Sequence, residues 1–427
     1  MKGLIITLVL LPLSWICQGQ ASSGKTFDTN LYSFAKLPIL NWRSDQQIND
    51  QPAWEGFLLV KAKLNGIYDI TGGLQDQETF NVGQIDVWGT DNRKRFAMDL
   101  SQTQVRLWSK RKTEKGDFIG YLEGDFWGGN GHFRLRNAWF DYRFVHIGLD
   151  WSVFGDKDIW PNVLDWDGPP SGVWRRAPQI KFYHKDSNQW TYEFALENPG
   201  AEFQFNEEVA PEITPTYAVM PDLIAAAKKQ FGKHYLRLST IYRHLSYDYA
   251  GDNQSVPGYG AALSGYIQTH ATKTNALQFQ FVAGKGIASY LASFGGRNYD
   301  GVPTGNGEIA AIPVFGSWIS YEYWFLSHWH CNLVLGLSDF KTDKITNIEI
   351  DEPGYLATDT SVKLNHYYLV LNLMYDPTPG LSFGIEYNLG NRDIQYDGTI
   401  YTDQGTLQHI DQSRAAQRVS FGVFFDF

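Results

Sequence analysis

Arginines carry the chemistry in this chain. Arg106, Arg134, Arg136, Lys181, Arg237, Arg243, Arg392 and Arg418 recur on one face of alternating segments, with Glu123 and Asp125 among them. A guanidinium is a planar fork that holds a carboxylate through two parallel hydrogen bonds and keeps its charge at physiological pH. Along a wetted wall, such groups admit anions; set against Glu123, Asp125, Glu322, Glu386 and Asp426, they stiffen that wall. The sequence leaves both roles open. A second group lies in WSVFGDKDIWPNVLDWDGPPSGVWRRAPQIKFY, residues 151–183, where Asp156, Asp158, Asp165 and Asp167 precede Arg175 and Arg176. Gly168, Pro169, Pro170 and Gly172 set tight turns there, and the Trp and Leu residues give the segment an apolar side to pack.

Other chemistries fit poorly. His328 and His330 share one strand face and Cys331 takes the other, so three metal ligands cannot converge. DWDG at 165–168 resembles the start of a calcium loop, but the glycine and terminal glutamate that such a loop needs are missing at their offsets. Neither HExxH nor a Ser, His and carboxylate constellation is present. Glu123 and Asp125, two residues apart on one wall, do not bracket a glycosidic bond. Trp108, Trp127, Trp139 and Trp160 read as girdle or wall packing. No cofactor motif occurs, and a net charge of −10 argues against nucleic acid as a partner.

The 427 residues are 43% hydrophobic, 15% aromatic and 19% charged, which excludes a disordered chain and a coiled coil. Lys2, an apolar run from Gly3 to Ile16 and then CQGQASSGK give residues 1–20 the layout of a secretory signal peptide. Its removal leaves 35 basic and 46 acidic residues, with Cys331 as the only thiol, so no internal disulfide forms. Residues 21–54 do not alternate and read as an N-terminal periplasmic extension.

From 55 to 427 the period is two. In RVSFGVFFDF, Val419, Phe421, Val423, Phe425 and Phe427 share one face, opposite Arg418, Ser420, Gly422 and Asp426. LSFGIEYNLGNR, HWHCNLVLGLS and NHYYLVLNLMY repeat the pattern, with tyrosines at both ends of an apolar stripe in the last. Sixteen strands are expected, at about 55–70, 94–109, 117–127, 132–143, 144–154, 178–186, 189–198, 217–231, 233–245, 258–271, 274–287, 315–326, 328–340, 362–376, 379–392 and 414–427. Short turns alternate with long Gly/Asp/Asn-rich connections, among them 246–257, 341–361 and 393–413. This predicts an all-β fold, a 16-stranded antiparallel transmembrane β-barrel with an inward-folded constriction loop at 151–183. Strand four is untidy, because Asn137 and Asp141 alternate with Phe133, Leu135 and Trp139 on the lipid face, as if another protomer covered it.

YLEGDFWGGNGHFRLRNAWFDY, GLDWSVFGD, PNVLDWDGPPSGVWRRAPQIKFY and PGLSFGIEYNLGNR resemble the DcaP-like porin family of outer-membrane channels over most of 55–427. The resemblance implies a trimeric sixteen-stranded barrel in the cell outer membrane that passes small anionic solutes, dicarboxylates and aromatic dicarboxylates among them. By position, Arg134 and Arg136 match the family's RLR pair, Glu123 and Asp125 its EGDF segment, and Asp165 and Arg176 its inward loop. The chain departs from the pattern in the short stretch before the barrel and in Trp174-Arg175-Arg176, where one arginine is usual. The expected arrangement is a ladder of Arg106, Arg134, Arg136, Arg175 and Arg176, with Asp156, Asp165 and Asp167 across the opening. The expected function is passive diffusion without catalysis, surrounded by outer-membrane lipid; a barrel hydrolase and a closed adhesion barrel are the alternatives.

Overall fold

In the computed structural model, residues 40–426 are described, apart from 75–77, 205–211, 272–273, 305–306, 344 and 351–354. The proposed leader at 1–20, positions 21–39 and Phe427 lie outside them. The alternation folds as one closed antiparallel sheet of sixteen wall positions. In chain order these are Trp54–Asp69; Arg95–Asp99 continued by Gln104–Thr113; Gly116–Gly128; His132–Tyr142; Val145–Trp151; Arg176–Lys185; Trp190–Glu197; and Ile213–Pro215 continued by Asp222–Phe231. His234–Tyr249, Asp252–Gln268, Ala276–Lys285, Pro313–Trp324, Trp329–Lys341 continued by Ile345–Ile350, Tyr355–Thr378, Leu381–Thr402 and Gly405–Asp426 complete the wall. The last strand closes on the first, with Asp426 opposite Lys61 and Arg418 opposite Asp69. Leu40–Arg43 then pairs with Leu58–Glu55, continuing the edge that the last strand leaves, so this part of the N-terminal segment belongs to the wall.

The usual burial rule is inverted. Leu238, Phe281, Leu335, Leu371, Ile385 and Phe425 point outward and are exposed, while Lys63, Asp125, Arg243, Glu386, Asn388 and Arg418 are buried inside. Such a surface needs a lipid solvent, and pairing of the last long strand with the first closes the sheet against it.

Strand four departs from the sequence reading for a local reason. Glu123 pairs with Asn137 but Gly124 pairs with Leu135, so Arg136 is an extra residue in a β-bulge. The bulge reverses the alternation: Arg136 and Asn137 are both buried, and Phe140 turns out to the lipid side. Asn137 Nδ2 donates to Asp150 Oδ1 at 2.9 Å, and Asp141 meets His146 Nδ1 at 2.9 Å. These polar residues face the interior and do not mark a protomer contact. The segments 246–257, 341–361 and 393–413, expected as loops, are largely continued hairpins that extend the wall beyond the apolar belt. There the ladder needs only water on its faces, and alternate residues such as Val362, Ile394, Tyr396 and Ile410 still bury themselves inward.

Long connections fold into the barrel, and three of them meet at the inward loop among the described residues. The segment 152–175 crosses the lumen and is latched to the far wall. Glu386 accepts the backbone N–H groups of Leu164 (2.7 Å) and Asp165 (3.0 Å) while holding Asn372 and Asn388. Lys63 Nζ donates to Leu164 O at 2.7 Å, and Asn372 Nδ2 to Asn162 O at 2.9 Å. Asp165 in turn accepts from Phe80 N–H and the Tyr368 hydroxyl, both at 3.0 Å. On the adjoining wall, Gly316 and Gly336 leave room for the loop. A Cβ at Gly316 would come 2.4 Å from Ser171 Cβ, and one at Gly336 would come 2.9 Å from Pro169 Cβ. The second connection, 286–312, backs the first through Ala292 N–H to Gly172 O and Ser293 N–H to Pro170 O, both 3.0 Å. The third, 74–92, packs Phe80, Val82 and Ile85 against Val163, Tyr368 and Val370.

Two substitutions test this anchoring. Gly316→Val overpacks the loop contact and is expected to cost about 1–3 kcal/mol, read as a lower urea midpoint in lipid vesicles. Glu386→Ala strands two buried N–H donors at about 1–3 kcal/mol each and releases the loop, so single-channel current should become larger and noisier. Unchanged stability and current in the second variant would count against the latch.

Candidate functional site

Between the wall from Trp54 to Trp151 and the inward loop lies a cavity of about 700 Å³, which opens toward the short-turn end at Gly380, Ser382 and Asp426. Its described lining carries seven basic residues, Lys61, Arg106, Arg134, Arg136, Lys157, Arg175 and Arg176, against four acidic ones, Glu123, Asp158, Asp167 and Asp426. A chain with net charge −10 thus concentrates positive charge around this cavity. The volume falls in the range of small-molecule sites, far beyond the size of one bare ion.

The arginines divide by their partners. Arg106 Nε lies 3.1 Å from Glu123, which also takes Arg136 Nε at 2.6 Å. Asp125 takes Arg136 Nη1 at 2.8 Å and Arg134 Nη2 at 2.7 Å. Three guanidinium groups therefore share two carboxylates, and the Tyr121 hydroxyl adds a 2.6 Å bond to Glu123. Arg134 is held over the Trp127 ring at 4.7 Å. Arg176 makes no ion pair among the described residues; its guanidinium sits 4.7 Å from the Trp151 ring and one of its terminal nitrogens is buried without a hydrogen-bond partner. Arg175 lies over the Tyr290 ring at 4.7 Å and donates to the Ser289 hydroxyl at 3.3 Å. At about 4 Å and an effective dielectric near 20, a pair of unit charges is worth about 4 kcal/mol, so pairing decides how much field a passing ion meets.

The other basic residues expected to line the lumen are structural. Arg243 is fully buried between Asp222 (3.1 Å) and Asp300 (2.8 Å), and it donates to Gly286 O and Gly200 O at 2.6 Å each. Arg418 binds Asp69 at 2.6 Å and Thr79 O at 2.7 Å, and Arg392 reaches Ile85 O at 3.0 Å. Arg237 ties Val153 O (2.5 Å) to Glu193 (3.0 Å), and Lys181 approaches Glu193 at 3.7 Å. These groups hold inward segments and neighbouring strands in place, and none of these five lines the main cavity.

The acidic side of the ladder also divides. Asp158 and Asp167 line the cavity, Asp158 in an ion pair with Lys228. Asp156 and Asp165 do not face the opening: Asp156 accepts from the Ser264 hydroxyl at 2.6 Å, and Asp165 is part of the latch. Burial pushes the Asp165 carboxyl above its usual range, against the hydrogen bonds from Phe80, Tyr368 and Asp167 that favour its charged form. Glu386 and Asp426 do not neutralise arginines either; Glu386 clamps the loop, and Asp426 lies at the cavity's lower rim.

Several lining residues escaped the sequence reading. Lys61 follows from the alternation of Lys61-Ala62-Lys63 with the inner face, and Lys157 sits beside Asp150 at 3.2 Å. Tyr290 and Leu291 belong to GIASYLASFGG, whose apolar content was the signal that this connection packs inside. Trp151, Trp160 and Trp174 form a continuous aromatic wall, with centroid separations of 5.6 Å and 3.9 Å.

No family description and no curated protein matches the sequence. Solved structures do match by fold. The outer membrane channel DcaP of Acinetobacter baumannii is 17% identical, with a TM-score of 0.70 over 88% of this chain and 98% of that one. The anion-selective porin from Comamonas acidovorans is 11% identical, with a TM-score of 0.52 over 88% of this chain and 100% of that one. OmpT, an outer membrane protein of Vibrio cholerae, is 7% identical, with a TM-score of 0.51 over 90% and 100%. The chain shares with DcaP the fold that its motifs suggested, a sixteen-stranded porin barrel.

Proposed function

We propose that this protein is a passive porin of the cell outer membrane for small hydrophilic anions, dicarboxylates and aromatic dicarboxylates among them. The observation that carries the reading is Arg176: a cation fixed on Trp151 beside the cavity, with no acidic partner among the described residues. Arg134 and Arg136 share their charge with Asp125 and Glu123, so they shape the passage and contribute a weaker net field. A solute carboxylate accepts two N–H bonds from a guanidinium and leaves again because water still reaches the site. The aromatic faces of Trp151, Trp160 and Trp174 next to that cation favour a flat anion over an extended one. The Comamonas protein of the same fold is anion-selective, which supports the sign of the preference. The porin fold also supports assembly as a homotrimer, and crosslinking in native membranes that yields only monomers removes that part of the reading.

Planar-bilayer recording of the purified protein tests the channel. Anion preference with block by phthalate stronger than by succinate is expected; cation preference overturns the solute class, and absence of conductance returns the barrel to an enzyme or adhesion role. Arg176→Ala should shift the reversal potential toward zero more than Arg134→Ala with Arg136→Ala. A larger effect from the paired arginines would move the selective element to Glu123 and Asp125's partners.

A further inference from the structure

The membrane face holds a feature unrelated to the lumen. A groove of about 630 Å³ crosses the outside of the barrel, walled by Ser317, Ile319, Leu335, Leu337, Tyr367 and Leu369. Register explains it. Phe281, Ser317, Leu337, Tyr367, Asn391 and Ala415 stand opposite one another on six successive strands, and the small Ser317 and Ala415 break a row of larger neighbours.

Four residues further along the same strands, about 14 Å toward the long-loop end, the register sets Lys341 directly opposite Lys363. Like charges facing each other across a ladder are destabilising unless an anion lies between them. Both lysines are exposed, and neither makes an ion pair among the described residues. Lys285 lies at the matching level two strands away, four residues above Phe281. The nearby acids offset this only in part: Asp339, in the row below, interacts with Lys363, the exposed Asp343 follows Lys341 by two residues, Asp393 is held by the Asn391 side chain and the Ser413 hydroxyl, and Asp411 is two strands from Lys363.

We infer that this face binds one lipid of the outward-facing leaflet, its acyl chain in the groove and its anionic phosphate headgroup on Lys341 and Lys363. An apolar channel that runs out below two facing lysines without a close ion pair is complementary to a molecule with a long apolar tail and a negative head. The site depends on the barrel's orientation, with long connections outward, and is independent of what passes through the lumen.

Nanodiscs of equal phosphatidylglycerol and phosphatidylcholine with identical chains, followed by detergent extraction of the full chain and native mass spectrometry, test the site. Phosphatidylglycerol should be retained over phosphatidylcholine by about twenty-five-fold, two lysines each contributing a factor of about five. Lys341→Glu with Lys363→Glu should abolish that preference, and Ser317→Trp, which fills the groove, should lower retention of both lipids. Heat-modifiable migration checks that each variant is folded, and Lys341→Arg with Lys363→Arg should keep the preference. Equal retention of the two lipids, or an unchanged preference in the glutamate variant, overturns the inference. Displacement of bound phosphatidylglycerol by excess inorganic phosphate would reduce the site to a free-anion site and overturn the acyl component.

Discussion

A backbone that lies in hydrocarbon has no water to bond, and every other feature of this molecule follows from that constraint. A sheet meets it only by closing, and closure requires that Gly405–Asp426 find Trp54–Asp69 at the far end of the chain. With the outer face committed to lipid, the alternating residues have only the inside in which to be polar. The interior is therefore filled with charge, and the packing problem becomes one of pairing charges.

The inward connections answer that problem. Arg243, Arg418, Lys63 and Glu386 are buried, and each is satisfied by a loop carbonyl, a loop amide or a loop carboxylate. The loops supply partners for wall charges while the wall supplies partners for loop backbone. Removing one member of such a buried set leaves an uncompensated group, at several kcal/mol in comparable cases. In the proposed function, selectivity belongs to the few groups left over: the same arginine side chain braces the fold where an acid meets it and is left to solute where none does.

The bulge at Arg136 shows how a single inserted residue changes which charges meet. It brings Arg136 and Asn137 to the same side, which lets Arg136 reach both Glu123 and Asp125 and lets Asn137 reach Asp150. A strict alternation would have sent Asn137, Trp139 and Asp141 to the lipid, which was the basis for expecting a protein contact there.

The barrel and its strand number were legible in the sequence, because period-two alternation is a local signal and each strand repeats it; the inward loop expected at 151–183 is shorter, since Arg176–Lys185 return to the wall and only 152–175 cross the lumen. Hairpin extensions at 341–361 and 393–413 were less legible, since beyond the membrane both faces tolerate polar residues and the alternation weakens. Which arginines are free was decided only by tertiary structure. Asp222 and Asp300 lie 21 and 57 residues from Arg243, and Asp69 lies 349 from Arg418. The sequence shows that a residue faces the lumen; only the folded chain shows what already faces it there. Charge pairing falls off with distance in space and is blind to distance along the chain, so the split between paired and unpaired cations among the described residues had to wait for the closed barrel.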